Sequence, residues 1–394
     1  MMKDTLCNKC KMEVNKDWLF CPHCSSNLLL HGDTNRNNLQ THLEEQIIPF
    51  YEKFTNKFTT PYYLTSLLIG LPFLILHIIL GITFKENTFA DRSWMISLMI
   101  GYTFLMVVWN TKKLRTLTLN LFDHIESDTE QFHATSIQQL KKILSTKRLL
   151  GYGVSFGLLN TSFGVLYGIW YVSLFLVISI MVQFFVEGFI CGMAVCGIVG
   201  VVKMVSTFSV QENIAINYRS PDKCGGISKI GNSLLQFSLT SLSVGVLISL
   251  YIYLSPWTNR TQEIVKFSIY VWMGFPHFAA ISVLLLPLLM LHSMLEKLKH
   301  KQDLFLLKRC ASLRNSLADL MHASENKDFH HLNFGFIHYT QMSEMHAKVQ
   351  SLCTWPFDSR SGFIYIVGFL ISGLVPITQL AQLAQMFNVK NVLN

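Results

Sequence analysis

Four cysteines near the start of the chain carry the spacing of a metal site. Cys7-Asn-Lys-Cys10 and Cys21-Pro-His-Cys24 are two CxxC pairs separated by ten residues. A CxxC turn aims two thiolates at one point, and two such turns make the tetrahedral S4 set that Zn2+ accepts without strain. A closed S4 site has no open coordination position, so its metal is structural: it replaces a core too small to fold alone. Iron, as in rubredoxin-like sites, is the lesser alternative. His23 is expected to be a solvated loop residue and not a ligand.

A second kind of chemistry rests on Glu187, the only acidic or basic residue within any apolar stretch long enough to cross a bilayer. A charge at mid-bilayer costs at least about 2.5 kcal/mol, so such a residue faces a cavity or a partner. Gln183 lies one turn earlier on the same face, and Gly188 and Gly192 thin the helix nearby. Asn160, His77 and His277 are further polar residues within apolar stretches. The plainer expectation for each is a side chain satisfied inside a helix bundle. The sharper one is a polar pathway.

Two loop motifs add candidates. Ser220-Pro221-Asp222-Lys223-Cys224-Gly225-Gly226-Ile227 precedes one apolar stretch and Trp355-Pro356-Phe357-Asp358 precedes another. Pro-Asp starts a turn and Gly-Gly permits positive φ, so backbone amides can line an anion-sized concavity. Asp222 and Asp358 are placed to cap helices or coordinate cations, and turn formation alone is the simpler expectation.

These residues must be positioned by membrane helices. The chain has 394 residues, 51% hydrophobic and 14% charged, against about 25% charged for soluble globular proteins. Crossing roughly 30 Å of hydrocarbon takes about 20 apolar residues. Seven stretches fit: Tyr62–Phe84, Trp94–Trp109, Leu149–Trp170, Val172–Val202, Leu234–Leu254, Phe267–Leu291 and Gly362–Phe387. The short second stretch ends on Trp94 and Trp109, where interfacial aromatics belong. Trp170 and Tyr171 are expected in a tight hairpin. The first stretch opens only at Tyr62, after a charged segment, and so is expected to act as an uncleaved signal-anchor.

With the N-terminus inside, the cytoplasmic pieces hold 27 Lys and Arg and the outer pieces 5. That asymmetry is what the positive-inside rule asks for, and it predicts an N-in, C-out chain of seven spans in the cell (inner) membrane. Cys224, Cys310 and Cys353 then share the side of the N-terminal four, Cys191 and Cys196 fall within a span, and no disulfide framework is implied. The net charge of +8 belongs to basic loops. No basic stripe with interleaved aromatics supports nucleic-acid binding.

The expected organisation is a zinc ribbon at 1–30, a polar linker with an amphipathic helix at 31–61, and a helical membrane domain at 62–387 followed by a tail at 388–394. Cytoplasmic helices are expected at 111–147 and 292–325. In the latter, Leu306, Cys310, Leu313, Leu317 and Leu320 form a two-heptad apolar seam. It packs either on a neighbouring cytoplasmic helix or on another subunit.

The segment Phe20-Cys21-Pro22-His23-Cys24 followed by Leu28 resembles the short N-terminal zinc ribbons of many prokaryotic proteins, with Lys11 and Ser25 where that family usually has glycine. The resemblance covers residues 5–30 and implies Zn2+ on Cys7, Cys10, Cys21 and Cys24. The two loop motifs are similar to signatures of uncharacterised prokaryotic multi-pass proteins. In topology alone the chain resembles insect gustatory and odorant receptor channels.

Function classes divide accordingly. No HExxH, P-loop or pair of intramembrane acids speaks for an enzyme. The lone Glu187 and prolines within spans (Pro72, Pro276, Pro287, Pro376) favour an oligomeric channel-like protein. The alternative is a membrane-anchored sensor or scaffold whose ribbon recruits a cytosolic partner.

Overall fold

The computed structural model describes residues 5–6, 13–14, 48–85, 92–122, 129–166, 173–210, 214, 220, 222–255, 263–323, 329–357, 362–368 and 370. The chain divides into two compact units, Met1–Ile48 and Pro49–Asn394. Within the first, β1 (Thr5–Leu6) pairs antiparallel with β2 (Glu13–Val14), Thr5 opposite Val14 and Leu6 opposite Glu13. All four candidate zinc ligands, and the amphipathic helix expected before Phe50, lie outside the described residues.

The second unit is built of α-helices: α1 (Phe50–Thr55), α2 (Tyr62–Leu68), α3 (Leu71–Thr83), α4 (Trp94–Phe122), α5 (Thr129–Ile143), α6 (Thr146–Leu166), α7 (Leu174–Ser209), α8 (Ser228–Leu254), α9 (Glu263–Ala323) and α10 (Phe329–Gln350). A further helical segment covers 362–368.

Five of these stretches are long and apolar enough to cross a membrane: Tyr62–Thr83, Trp94–Thr118, Leu174–Ser209, Ser228–Leu254 and Trp272–Asp319. They match the first, second, fourth, fifth and sixth expected spans. The third expected span is helical as α6 but is not among the five, and most of the seventh lies outside the described residues, as do Trp170 and Tyr171.

Helix boundaries differ from the sequence expectation for local reasons. The first span is two helices, broken at Ile69–Gly70, with Pro72 in the first turn of α3, where a missing N–H costs no hydrogen bond. The second does not stop at Trp109. Lys112, Lys113, Leu114 and Arg115 are good helix formers, and no Gly or Pro interrupts them, so α4 runs on to Phe122. Likewise α9 continues through Pro276 and Pro287 as one helix of 61 residues, joining the sixth span to the expected 292–325 helix.

Side-chain placement follows the solvent expected of such helices. On the first turns of α7, Leu174, Phe175, Ile178 and Val182 are exposed, and on α3 so are Ile75, Ile79 and Ile82. Contiguous apolar faces of this kind are rare on monomeric proteins in water. The opposite faces make the core, where Ile96, Ile100, Val107 and Val108 of α4 pack with Leu176, Ile180 and Met193 of α7.

Two helix pairs pack in distinctive ways. The α6–α7 contact is glycine-mediated: a Cβ on Gly192 would sit 2.3 Å from the Tyr152 carbonyl, and one on Gly188 2.6 Å from that of Phe156. Small residues allow backbones this close where lipid offers helices no hydrophobic drive to associate. Outside the core, α10 lies along α9. Gly335 meets Leu317, His346 Nε2 is 2.9 Å from Asp303 Oδ1, and Lys299 donates to the carbonyls of Gln350 and Leu352. Leu306 and Leu317 of the heptad seam are buried within the chain itself.

Candidate functional site

The site is organised by α4, which with the preceding Ser93 buries a run of polar side chains: Ser97, Thr103, Thr111, Arg115 and Thr118. Each is matched by a polar group on a neighbouring element or on α4 itself. Arg115 pairs with Glu52 of α1, and the Tyr51 and Thr111 hydroxyls share a hydrogen bond of 2.6 Å. Burial raises the Tyr51 hydroxyl above its ordinary value despite that bond, so it stays a neutral phenol.

Glu187 on α7 is 4% exposed. Thr103 donates to its Oε1 at 2.8 Å, and the Cys191 thiol one turn later lies 3.7 Å from the same oxygen. Its other oxygen, Oε2, is buried with no hydrogen-bond partner. A buried carboxyl with half its acceptor capacity unused is costly, by roughly 1–3 kcal/mol or more, unless something else fills the role.

Asn160 of α6 reaches the same cleft. It donates to the Phe184 carbonyl at 2.8 Å and accepts from the Trp272 indole at 3.1 Å, tying α6, α7 and α9 together. Phe156, Phe184, Tyr251, Trp272 and Phe275 complete most of the wall. The cleft holds about 680 Å³ of empty space, its open side included.

This cleft is the first of three adjoining cavities. It shares Cys191, Ile248, Phe275 and Pro276 with a second, which Thr103, Asn110, Thr240 and Ser241 also line. The second shares Val107, Asn110, Ala194, Ile198 and Ser241 with a third, which ends at Thr111 and Tyr51. From Thr103 to Leu114 this follows α4 for about 16 Å at ~1.5 Å per residue.

The other sequence candidates are placed elsewhere. Gln183 accepts from Ser97 at 2.9 Å and donates to Ser179 at 3.5 Å, so it is held in its own network and does not line the Glu187 cleft. His77 bonds Ser93 through Nε2 at 2.7 Å, joining α3 to the start of α4. His277 packs on Gly245, and its Nδ1 lies 3.2 Å from the Met273 carbonyl of its own helix. Thr103 and Trp272 were not singled out in the sequence. A hydroxyl in mid-span and an indole near the start of a span are the available signals.

The two loop motifs come together. Lys223 O accepts from the Cys353 amide at 2.8 Å, the Cys224 thiol donates to Trp355 O at 3.3 Å, and His292 of α9 stacks on Trp355. Gly231 in the first turn of α8 abuts Pro356 so closely that a Cβ would lie 1.7 Å from its carbonyl oxygen. Phe357 covers Gly362, whereas Pro221 and Asp358 lie outside the described residues.

Gly225 and Gly226 do take positive φ, 70° and 91°, and the amides they expose have a ligand already. Asp222 Oδ1 accepts from Cys224 and Gly226 at 3.0 Å, and Oδ2 accepts from Ser228 at 3.2 Å. The concavity expected for an external anion is filled by the motif's own carboxylate, which thereby caps α8. Partial burial would raise that carboxyl. The Gly226 and Cys224 amides, with the Ser220 and Ser228 side chains, outweigh it and hold Asp222 below its ordinary value.

Apolar helices with exposed apolar faces around a core that also buries polar side chains define a polytopic α-helical membrane protein. No protein-family model, curated protein or solved structure matches the chain. Among the described residues, no group of three or more His, Cys, Asp or Glu side chains is placed to hold a metal ion.

Proposed function

We propose that this is a channel-like protein of the cell membrane, passing ions or small solutes along a polar route inside its helix bundle, with Glu187 at the narrow point of charge. One observation carries the reading. The lone carboxyl within the spans has an unpartnered oxygen and opens a run of cavities lined at intervals by Asn160, Thr103, Asn110, Ser241 and Thr111. In a water-poor interior such a carboxylate concentrates cations, and spaced hydroxyl and amide groups replace their hydration in steps.

The chain is oriented N-in and C-out with seven spans, α6 and the stretch beginning at Gly362 adding to the five helices above. The 27-to-5 distribution of Lys and Arg supports this. It forms a homo-oligomer through the α9–α10 region, where Phe305, Phe334, Phe336 and Ile337 are exposed. The N-terminal unit is a zinc ribbon holding one Zn2+ through Cys7, Cys10, Cys21 and Cys24, a structural or regulatory module. Its support is that β1 ends at Leu6 and β2 begins at Glu13, so the first CxxC lies in sequence between two paired strands.

The test is Glu187→Gln, which keeps shape and hydrogen bonding while deleting the charge. Purified protein in planar bilayers should conduct, and the variant should lose conductance or cation selectivity while its unfolding temperature moves by no more than about 3 °C. A variant that is more stable and conducts like the parent, or a parent that does not conduct, sinks the reading. A membrane-anchored scaffold recruiting a cytosolic protein through the ribbon would then take its place.

A further inference from the structure

The chemistry of the Glu187 cleft is more particular than its polarity. A bare metal cation asks for a shell of oxygen ligands, typically six or more for a hard ion. The side chains on the cleft wall that carry oxygen are Glu187, with one oxygen unpartnered and the other already bonded to Thr103, Asn160, whose amide oxygen accepts from Trp272, and Tyr251, too few for such a shell. The rest of the wall sets five aromatic rings among smaller apolar residues. Trp272 and Phe275 stack at 5.7 Å with planes 10° apart, and Phe156 stands 6.3 Å from Trp272 and 5.7 Å from Phe275.

Aromatic faces beside a single counter-charge are what a weakly hydrated organic cation needs. The ring quadrupoles attract its diffuse charge, their area covers its methyl groups, and one carboxylate neutralises it without a coordination shell. The rings are also fixed in advance. The Trp272 indole is held by Asn160, Asn160 by the Phe184 carbonyl, and Phe163 packs on Trp272 at 4.8 Å. Preorganisation of this kind lowers the ordering cost of binding. Aromatic packing alone would explain the rings. It leaves unexplained a carboxyl oxygen without a partner on the same wall.

We propose that this cleft is a binding site for an organic monocation, a quaternary or primary alkylammonium, with Glu187 as the counter-ion and Trp272 and Phe275 as the aromatic faces. The proposal rests on the reading that the Glu187 cleft belongs to the solute route, and it names the class of solute. Asn160 is a positioning residue that sets the plane of Trp272.

Calorimetry on the purified full-length protein would use tetramethylammonium, choline and hexylammonium, with 3,3-dimethylbutan-1-ol as the neutral isostere of choline. At least one cation should bind with one site per chain, and the neutral isostere at least about tenfold more weakly than choline. Glu187→Gln should abolish binding. Trp272→Leu should weaken it about tenfold.

The proposal is overturned if none of the three cations binds, if the isostere matches choline, or if Trp272→Leu leaves cation affinity unchanged. Potassium conductance separates the two levels. If it persists in the parent and is lost in Glu187→Gln, the channel reading stands without the organic cation. If it is absent from the parent and no cation binds, both readings fall.

Discussion

At the scale of single residues, the two conspicuous acids have opposite environments. Asp222 has three amide donors and is fully engaged; Glu187 has one hydroxyl and one thiol on the same oxygen. Asp222 is therefore read as structural, with a definite pH dependence. Its folded-state value lies below the ordinary 3.8, so its ionised form stabilises the fold. That contribution is complete at neutral pH, declines once the pH falls to the ordinary value, and is gone below the folded one. Asp222→Asn should cost about 1 kcal/mol at pH ~7, the usual worth of a cap. The gap to wild type should narrow as the pH falls through the ordinary value and close below the folded one. Thermal unfolding across that range measures it, and a gap that stays constant with pH would mean the charge contributes nothing.

At the scale of elements, α6 and α7 show how close packing replaces hydrophobic drive. Gly192 and Gly197 lie on the same helix, five residues apart, in contrasting surroundings. An added methyl at 192 meets the Tyr152 carbonyl at 2.3 Å, whereas one at 197 meets nothing within 4 Å. Gly192→Ala should therefore push α6 away and lose about 1–3 kcal/mol. Gly197→Ala should be neutral or gain up to about 1 kcal/mol from helix propensity. Unfolding temperatures of the two variants, measured in the same detergent, should move apart. Equal shifts would mean that the α6–α7 contact is looser than this. Because α6 carries Asn160 and α7 carries Glu187, the Gly192 change should also disturb the cleft.

At the scale of the whole molecule, orientation and the ribbon make one joint prediction. An impermeant thiol reagent added to intact cells should label a cysteine introduced at Asn259 and no native cysteine. In inside-out vesicles it should label Cys353, which is exposed, and reach Cys7, Cys10, Cys21 and Cys24 only after a chelator removes zinc. Labelling of Cys353 from outside would reverse the orientation. Labelling of the four N-terminal cysteines without chelator would remove the zinc.

What the sequence determined by itself is what depends on local composition and period. Apolar run length located the helices that are long enough to cross a membrane, because lipid demands about 20 residues whatever they pack against. The absence of charge elsewhere in the spans singled out Glu187. The CxxC spacing proposes a ligand set without any fold, and that set lies outside the described residues. Helix lengths were less legible. A separate helix is expected from 111, yet the propensities of positions 110–122 simply continue α4.

Only the tertiary structure decided which polar groups meet. Gln183 and Glu187 share a helix face, but α4 presents Ser97 to one and Thr103 to the other, and that separates them. Asn160 and Trp272 are over a hundred positions apart, and the two loop motifs a similar distance. No period in the chain relates such residues. Their juxtaposition is set by how closely the glycine-lined helices approach and by which carbonyls and carboxyls need a donor once water is gone.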